Sequence, residues 1–344
     1  MNGDYWPTQA WRQAAPKSVG MCAARLSNLE REIRTRFRCI SAYLIIRRGY
    51  LVFENYYGGI GQDDTHLVAS VTKSFVSALI GIAIDRGYIE GVRQRILDIF
   101  PEYTPGAGDH LKRQITIQHL LTMTAGFQWR TGARSRELYI ERMRRSKDWA
   151  AFILDLPVRE RSMGTFCYSS AASHLLSVIL TRSTGRCAQA LAAEHLFEPL
   201  GIDPPAAAVQ QGFSQAEVFR NTAGGWPTDP QGNSIGGWGL VLKPRDMARF
   251  GYLYLNDGRW DGRQIVPKEW VAESVLPHTP GYGYQWWLRD LSGVFVFSAV
   301  GQGGNHIFCI PQKDLVVVVA SKPGSRWRDR WPLLEEFVIP AAPG

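Results

Sequence analysis

The chain has 344 residues, 45% hydrophobic and 20% charged, a composition that belongs to folded globular proteins and excludes a disordered or collagen-like one. The net charge of +8 comes largely from arginine, but no nucleic-acid-binding module accompanies it, so no nucleic-acid partner is expected. Five scattered cysteines (Cys22, Cys39, Cys167, Cys187, Cys309) form no C-x-x-C pair and the seven histidines no H-E-x-x-H frame, which argues against a disulfide framework and a zinc site.

The first twenty residues, "MNGDYWPTQAWRQAAPKSVG", lack the basic start and apolar core of a secretory signal. The longest apolar stretch, within Val71–Ile84, is interrupted by Thr72, Lys73, Ser74 and Ser77 and is too short and polar to span a bilayer. The expectation is a cytoplasmic protein without a membrane association, unless a leader has been removed. "ARLSNLEREIRTRF" spaces Leu26, Leu29, Ile33 and Phe37 by three or four, one face of a helix. "AYLIIRRGYLVFENYY" gives two β-rich runs hinged on Arg47, Arg48 and Gly49, which predicts a hairpin.

The helix after Ser70 is apolar on nearly every side and is expected to be buried, with Gly87 as its stop. From Gln94 to about Phe219 the spacing turns helical in "TIQHLLTMTAG", "DWAAFILDL" and "SSAASHLLSVILTRSTG", with Gly126 and Gly185 as stops. Part of the positive charge is concentrated in Trp129–Lys147, "WRTGARSRELYIERMRRSK". With Glu137 and Glu141 interleaved it reads as a solvated helix of mixed charge; the sharper alternative is a basic rim that draws in an anionic substrate. Strand-like runs return in "GVFVFSAV", "NHIFCIP" and "DLVVVVAS", and "RWPLLEEFVI" is a helix to pack on them. The fold class is therefore α+β: an antiparallel sheet flanked by helices, assembled from residues 1–93 and 220–344, with an all-helical domain, 94–219, inserted between them.

Three clusters carry chemistry. In "VASVTKSFVSALIG", Ser70 and Lys73 are three apart, so on a helix both side chains share one face. Serine needs a base, and a lysine kept dry enough to lose its proton can be one; bringing it from ~10.4 to ~7 takes roughly 4–5 kcal/mol, from burial and a cationic neighbour. As S-x-x-K the motif alone is weak, since a surface serine followed by a salt-bridged lysine reads the same, but so apolar a helix keeps Lys73 from water. In "GTFCYSSAASHLL", Tyr168 precedes a helix, with Ser170 two residues on, and can relay protons, although a packed aromatic also fits. In "SAVGQGGNHIFCIP", glycines between two strands allow a ligand close to the backbone, or simply make a turn. Gly232–Gly236 also matches G-x-S-x-G around Ser234, but the strand before it and the helix after it that a nucleophile elbow requires are not predicted there.

Together with "ITIQHLLTMTAGFQW", "GGWGLVLKPRDMARFGYLYLNDGRWDGRQIVP" and "GQGGNHIFCIPQKDLVVVV", these blocks resemble, over nearly the whole chain, the serine β-lactamase-like hydrolases of the class C type. That group includes penicillin-binding D,D-peptidases, carboxylesterases and aminohexanoate-oligomer hydrolases. The resemblance implies a β-lactamase/transpeptidase-like fold, Ser70 as acylated nucleophile, Lys73 as its base and Tyr168 as the second-motif tyrosine. Ser170 falls where many relatives have asparagine. The K-T-G or H-T-G third motif aligns with Ala299–Gly301, and Gln302 then offers its N–H beside that of Ser70 to an oxyanion hole.

Without lysine or histidine at Ala299, a cation that greets a substrate carboxylate is missing. Strong β-lactam hydrolysis is then disfavoured, and the pattern is nearer to the aminohexanoate-oligomer hydrolases and esterases. Ser170, Trp129, Ala299, Gly301 and Asn305 are the expected substrate contacts, and Trp129, Tyr284, Trp286 and Trp287 are candidates for the pocket wall, though core packing accounts for these aromatics as well. The implied reaction is acyl transfer from a small amide or ester to water, with no metal or organic cofactor. Two other readings stay open: a penicillin-binding or weak β-lactamase/D,D-peptidase type that acylates and deacylates slowly, and a non-catalytic binding scaffold. The oligomeric state stays open too.

Overall fold

Four runs rich in β-branched and aromatic residues, at the two ends of the chain, build most of one sheet. The computed structural model describes residues 5–106, 109–129, 137, 139–209, 225–322 and 328–343. Helix α1 (Ala23–Arg36) leads into the hairpin β1 (Ile40–Arg47) and β2 (Tyr50–Tyr56), which turns at Arg48 and Gly49, both with positive φ. Helix α2 (Thr72–Asp85) follows, then a helical stretch ending in the long α3 (Ser170–Thr184), then α4 (Pro244–Leu255). Strands β3 (Trp287–Leu291), β4 (Val294–Gly301), β5 (Asn305–Ile310) and β6 (Leu315–Ser321) complete the sheet. Its order is β2-β1-β6-β5-β4-β3, antiparallel throughout.

The central strands have no polar face because both sides are covered. Along β6, Val316, Val318 and Ala320 join the core shared with α2 and α4, while Leu315, Val317 and Val319 pack with α1 and the C-terminal Leu333, Leu334 and Val338. A period of two thus sorts residues between two buried layers. Helix α2 lies within the first layer, buried at every position from Thr72 to Ala83, Lys73 included.

Two expectations are corrected. The helix in "TIQHLLTMTAG" covers only Ile117–Leu121 and ends well before Gly126. Met123 takes φ 61°, which turns its carbonyl to accept from Cys167 N at 2.8 Å and its Sδ toward Ser169 N at 3.3 Å. The chain leaves the helix early in order to hold the segment that carries Tyr168. The middle block is also not all helical: Ala206–Val209 pairs in parallel with Gly225–Thr228. Pro204 and Pro205 directly before it disfavour helix and extend the chain.

Candidate active site

The nucleophile candidate is aimed by a kink. Val68 N donates to Leu240 O at 3.0 Å, Ala69 takes φ 50°, and a single 3-10 turn, Ala69–Val71, carries Ser70 into α2. A left-handed non-glycine residue costs about 1–2 kcal/mol, so this turn is held by its surroundings. Thr72 holds it, donating from Oγ1 to Ala69 O at 2.6 Å and accepting from Leu240 N at 3.2 Å.

Lys73, one turn on, is 2% exposed. Its Nζ donates to Ser70 Oγ at 3.0 Å, to Ser170 Oγ at 3.0 Å and to Gly237 O at 2.5 Å, so all three ammonium protons have acceptors. Gly237 O comes this close because a Cβ at Gly237 would lie 2.9 Å from Ser170 Cβ and Ser170 O; only glycine lets that loop press on the start of α3. Burial pushes the amine from its ordinary 10.5 down to about 8, and the carboxylate of Glu137 opposes the fall. Among the described residues the charge acting on Lys73 is this anion and not the cationic helper expected from the sequence, and it favours the amine's proton.

Tyr168 completes the group. Its phenol is within hydrogen-bonding reach of Ser70, and Lys73 Nζ lies 4.9 Å from its ring centroid. Burial first, then the Glu137 carboxylate, raise the phenol well above its ordinary range, against the opposing bond to Ser70. A phenol held there keeps its proton and acts as a donor. Its ring stacks on Trp287 at 5.8 Å, and Trp287 in turn meets Phe166 and Tyr282 edge-on at 6.0 and 4.9 Å.

On the opposite side, β4 ends against the nucleophile segment. A Cβ at Gly301 would lie 2.1 Å from Val68 O, so glycine is required for this approach. Asn305 ties the turn down: its Nδ2 donates to Leu67 O at 3.2 Å and to Gln302 O at 3.0 Å, and its Oδ1 accepts from Ser321 N at 2.9 Å.

The remaining expectations divide. Asn305 is 3% exposed with its amide committed to the backbone, so it is a clamp rather than a substrate contact. Ala299 is fully buried in the core behind Ser70, and Gly301 is a packing position. Trp286 packs with Phe250, Tyr254 and Phe297, and Tyr284 stacks on His278, so both are core residues and not pocket wall. Trp287 lies beside Tyr168, its ring stacked on the phenol. Trp129 is 4% exposed and donates from Nε1 to Glu137. Ser234 is buried, its Oγ accepting from Gln189 N at 3.0 Å, and a two-residue strand, Val241–Leu242, follows it where an elbow requires a helix.

Three residues escaped the sequence reading. Residues 130–136 and 138 of the basic segment lie outside the described residues, but Glu137 does not belong to a solvated face: Oε2 accepts from Ser170 N at 2.6 Å and Oε1 from Ser170 Oγ at 2.5 Å. Arg144, expected on the same solvated face, is buried over the Trp238 ring at 4.9 Å. Gln285, at φ 65°, joins three parts of the site: its carbonyl accepts from Ser74 Oγ, its Oε1 from Ser173 Oγ, and its Nε2 donates to Leu120 O and Leu121 O. A polar residue beside the glycines and aromatics of "GYGYQWW" was the available signal.

A model of the Beta-lactamase family matches residues 26–336, and the chain belongs to this family, as its motifs led one to expect. It is 27% identical over 350 residues to the 6-aminohexanoate-dimer hydrolase of Paenarthrobacter ureafaciens, covering 93% of this chain and 83% of that one. Among solved structures it resembles a putative 6-aminohexanoate-dimer hydrolase from Bacillus anthracis (TM-score 0.70, 20% identity, 99% of this chain and 88% of that one). It also resembles a family VIII carboxylesterase (TM-score 0.66, 18% identity, 94% of this chain and 99% of that one). These structural likenesses establish the α+β fold.

Proposed function

We propose that this member of the family is a serine hydrolase that opens a small amide or ester through an acyl-enzyme on Ser70. The observation that carries this reading is Lys73: an amine buried at 2% exposure, brought down to about 8, with its Nζ 3.0 Å from Ser70 Oγ. In its neutral form it takes the Ser70 proton while Oγ bonds to the substrate carbonyl carbon. The N–H groups of Ser70 and Gln302 receive the oxyanion, a geometry favoured by the clamp that Asn305 places on Gln302. As the acyl bond breaks, Tyr168 gives its proton to the leaving amine or alcohol and regains one from the Lys73 ammonium. Water then attacks the acyl-enzyme, its proton passes back through the same groups, and free acid and Ser70 are regenerated.

The amide-or-ester class rests on the aminohexanoate-dimer hydrolase and carboxylesterase relatives. The test is intact-mass analysis after a fluorophosphonate, with Ser70→Ala and Ser234→Ala alongside, followed by turnover of p-nitrophenyl esters and short amides. One adduct, absent only from Ser70→Ala, with turnover, is the expected result. An acyl burst without turnover would favour a slowly deacylating penicillin-binding type. Labelling that survives Ser70→Ala, or no labelling of any form, would overturn the proposal.

A further inference from the structure

We infer that Glu137 sets the direction of the hydrogen-bond chain at the nucleophile: by accepting the only hydroxyl proton of Ser170, it leaves the lone pair of neutral Lys73 no hydroxyl to face but that of Ser70. Glu137 is thus a positioning residue, acting through Ser170. The inference rests on the reading of Ser70 as nucleophile and Lys73 as base.

The argument counts protons and lone pairs. The ammonium form of Lys73 has three N–H donors and three acceptors, and is complete. When it loses a proton, one of the three contacts must reverse and become a donor to nitrogen. Gly237 O is a carbonyl and can only accept. Ser170 Oγ is 3.0 Å away and has one proton to give, but that proton is held by Glu137 Oε1 at 2.5 Å. Ser70 is the contact left to reverse, and its reversal is the bond through which a general base takes the nucleophile's proton.

Glu137 is itself held in one orientation. Its Oε2 accepts from Ser170 N at 2.6 Å and from Trp129 Nε1 at 2.5 Å, at the first turn of α3, where the free N–H groups of a 15-residue helix favour an anion. The titratable groups whose charge acts with Glu137 are Lys73, Tyr168, Cys167 and Arg144, while Glu137 is the one charge that acts on Lys73 among the described residues.

Glu137→Gln keeps the shape and removes the charge. Two N–H donors converge on Oε2, so the glutamine must turn its oxygen there and its NH2 toward Ser170 Oγ. The Ser170 proton is then released, and Lys73 Nζ is an acceptor 3.0 Å away, in competition with Ser70. The experiment measures the second-order rate of Ser70 modification by a fluorophosphonate from pH 6 to 10. It uses wild type, Glu137→Gln, Ser170→Ala and the double variant, with Ser70→Ala as blank and a thermal melt of each. Glu137→Gln is expected to lower the plateau rate roughly 10- to 100-fold. At the same time the acid limb of its profile moves to lower pH, because the anion that favours the lysine's proton is gone.

Ser170→Ala, which removes the competing hydroxyl, loses less than Glu137→Gln, and in the double variant it restores part of the lost rate. Loss of packing alone moves neither the limb nor the double variant in these directions. A Glu137→Gln rate equal to wild type with an unmoved limb, or a double variant slower than Glu137→Gln, would overturn the inference. So would a Ser170→Ala variant that is folded but slower than Glu137→Gln. If wild type itself forms no adduct at Ser70, the proposed function fails, and this inference with it.

Discussion

Acylation by this group is expected to follow the titration of Lys73, and the size of the effect can be worked out. With the amine at about 8, roughly a tenth is neutral at pH 7 and roughly nine-tenths at pH 9, so the acylation rate rises about tenfold over that interval. Tyr168, held protonated by burial, adds no falling limb below pH 9. The assay is single-turnover release of p-nitrophenol in stopped flow, with Ser70→Ala subtracted at each pH for alkaline hydrolysis of the ester. The same shift enters stability. The unfolded amine keeps its proton up to 10.5 and the folded one releases it near 8, so between those values the unfolded chain binds more protons and stability rises with pH. Lowering the amine from 10.5 to about 8 amounts to about 3 kcal/mol, so wild type should gain up to that much relative to Lys73→Met as the pH moves from 7 to 10.5. Denaturant midpoints of both proteins at several pH values read this difference. An acylation rate flat from pH 7 to 9, or one rising only near 10.5, would show that Lys73 is not the base.

Three other outcomes follow from the site's supports. Gln285→Ala removes the shorter of the two acceptors of Ser173 Oγ and the side-chain donor to Leu120 O and Leu121 O, opens a hole between α2, α3 and Leu121, and is expected to cost about 2–4 kcal/mol by denaturant titration; a loss under 1 kcal/mol would contradict its role. Asn305→Ala frees Gln302 from Leu67, and should lower kcat on p-nitrophenyl esters roughly 10-fold or more with little change in KM, because the loosened N–H serves the transition state; an effect confined to KM would count against it. Ala69→Val places a β-branched residue at φ 50° and is expected to destabilise the fold by about 2 kcal/mol and to slow labelling of Ser70, both measurable on one preparation.

What could be read in the sequence and what could not divides along physical lines. The hairpin, α1, α2, α3 and the last three strands were legible because burial on one or two faces leaves a period in the chain, and Gly185 closes α3 with φ 71° as its position suggested. The burial of Lys73 was legible because so apolar a helix keeps its face from water, and a lysine there is costly without a task; Tyr168 stood out only through the family resemblance. Partners without a period were not legible. Asn305 was expected among the substrate contacts, yet its three bonds all go to backbone. Glu137 looked like one charge among arginines, since nothing local distinguishes a carboxylate facing water from one facing a helix N-terminus 33 residues later. That difference has chemical weight. Lys73 owes its dryness to α2, which the sequence displays, but the direction of its hydrogen bonds depends on Gly237 and Glu137, which arrive from separate segments. A serine–lysine spacing therefore identifies a candidate base, and only the acceptors around that base decide which hydroxyl it will deprotonate.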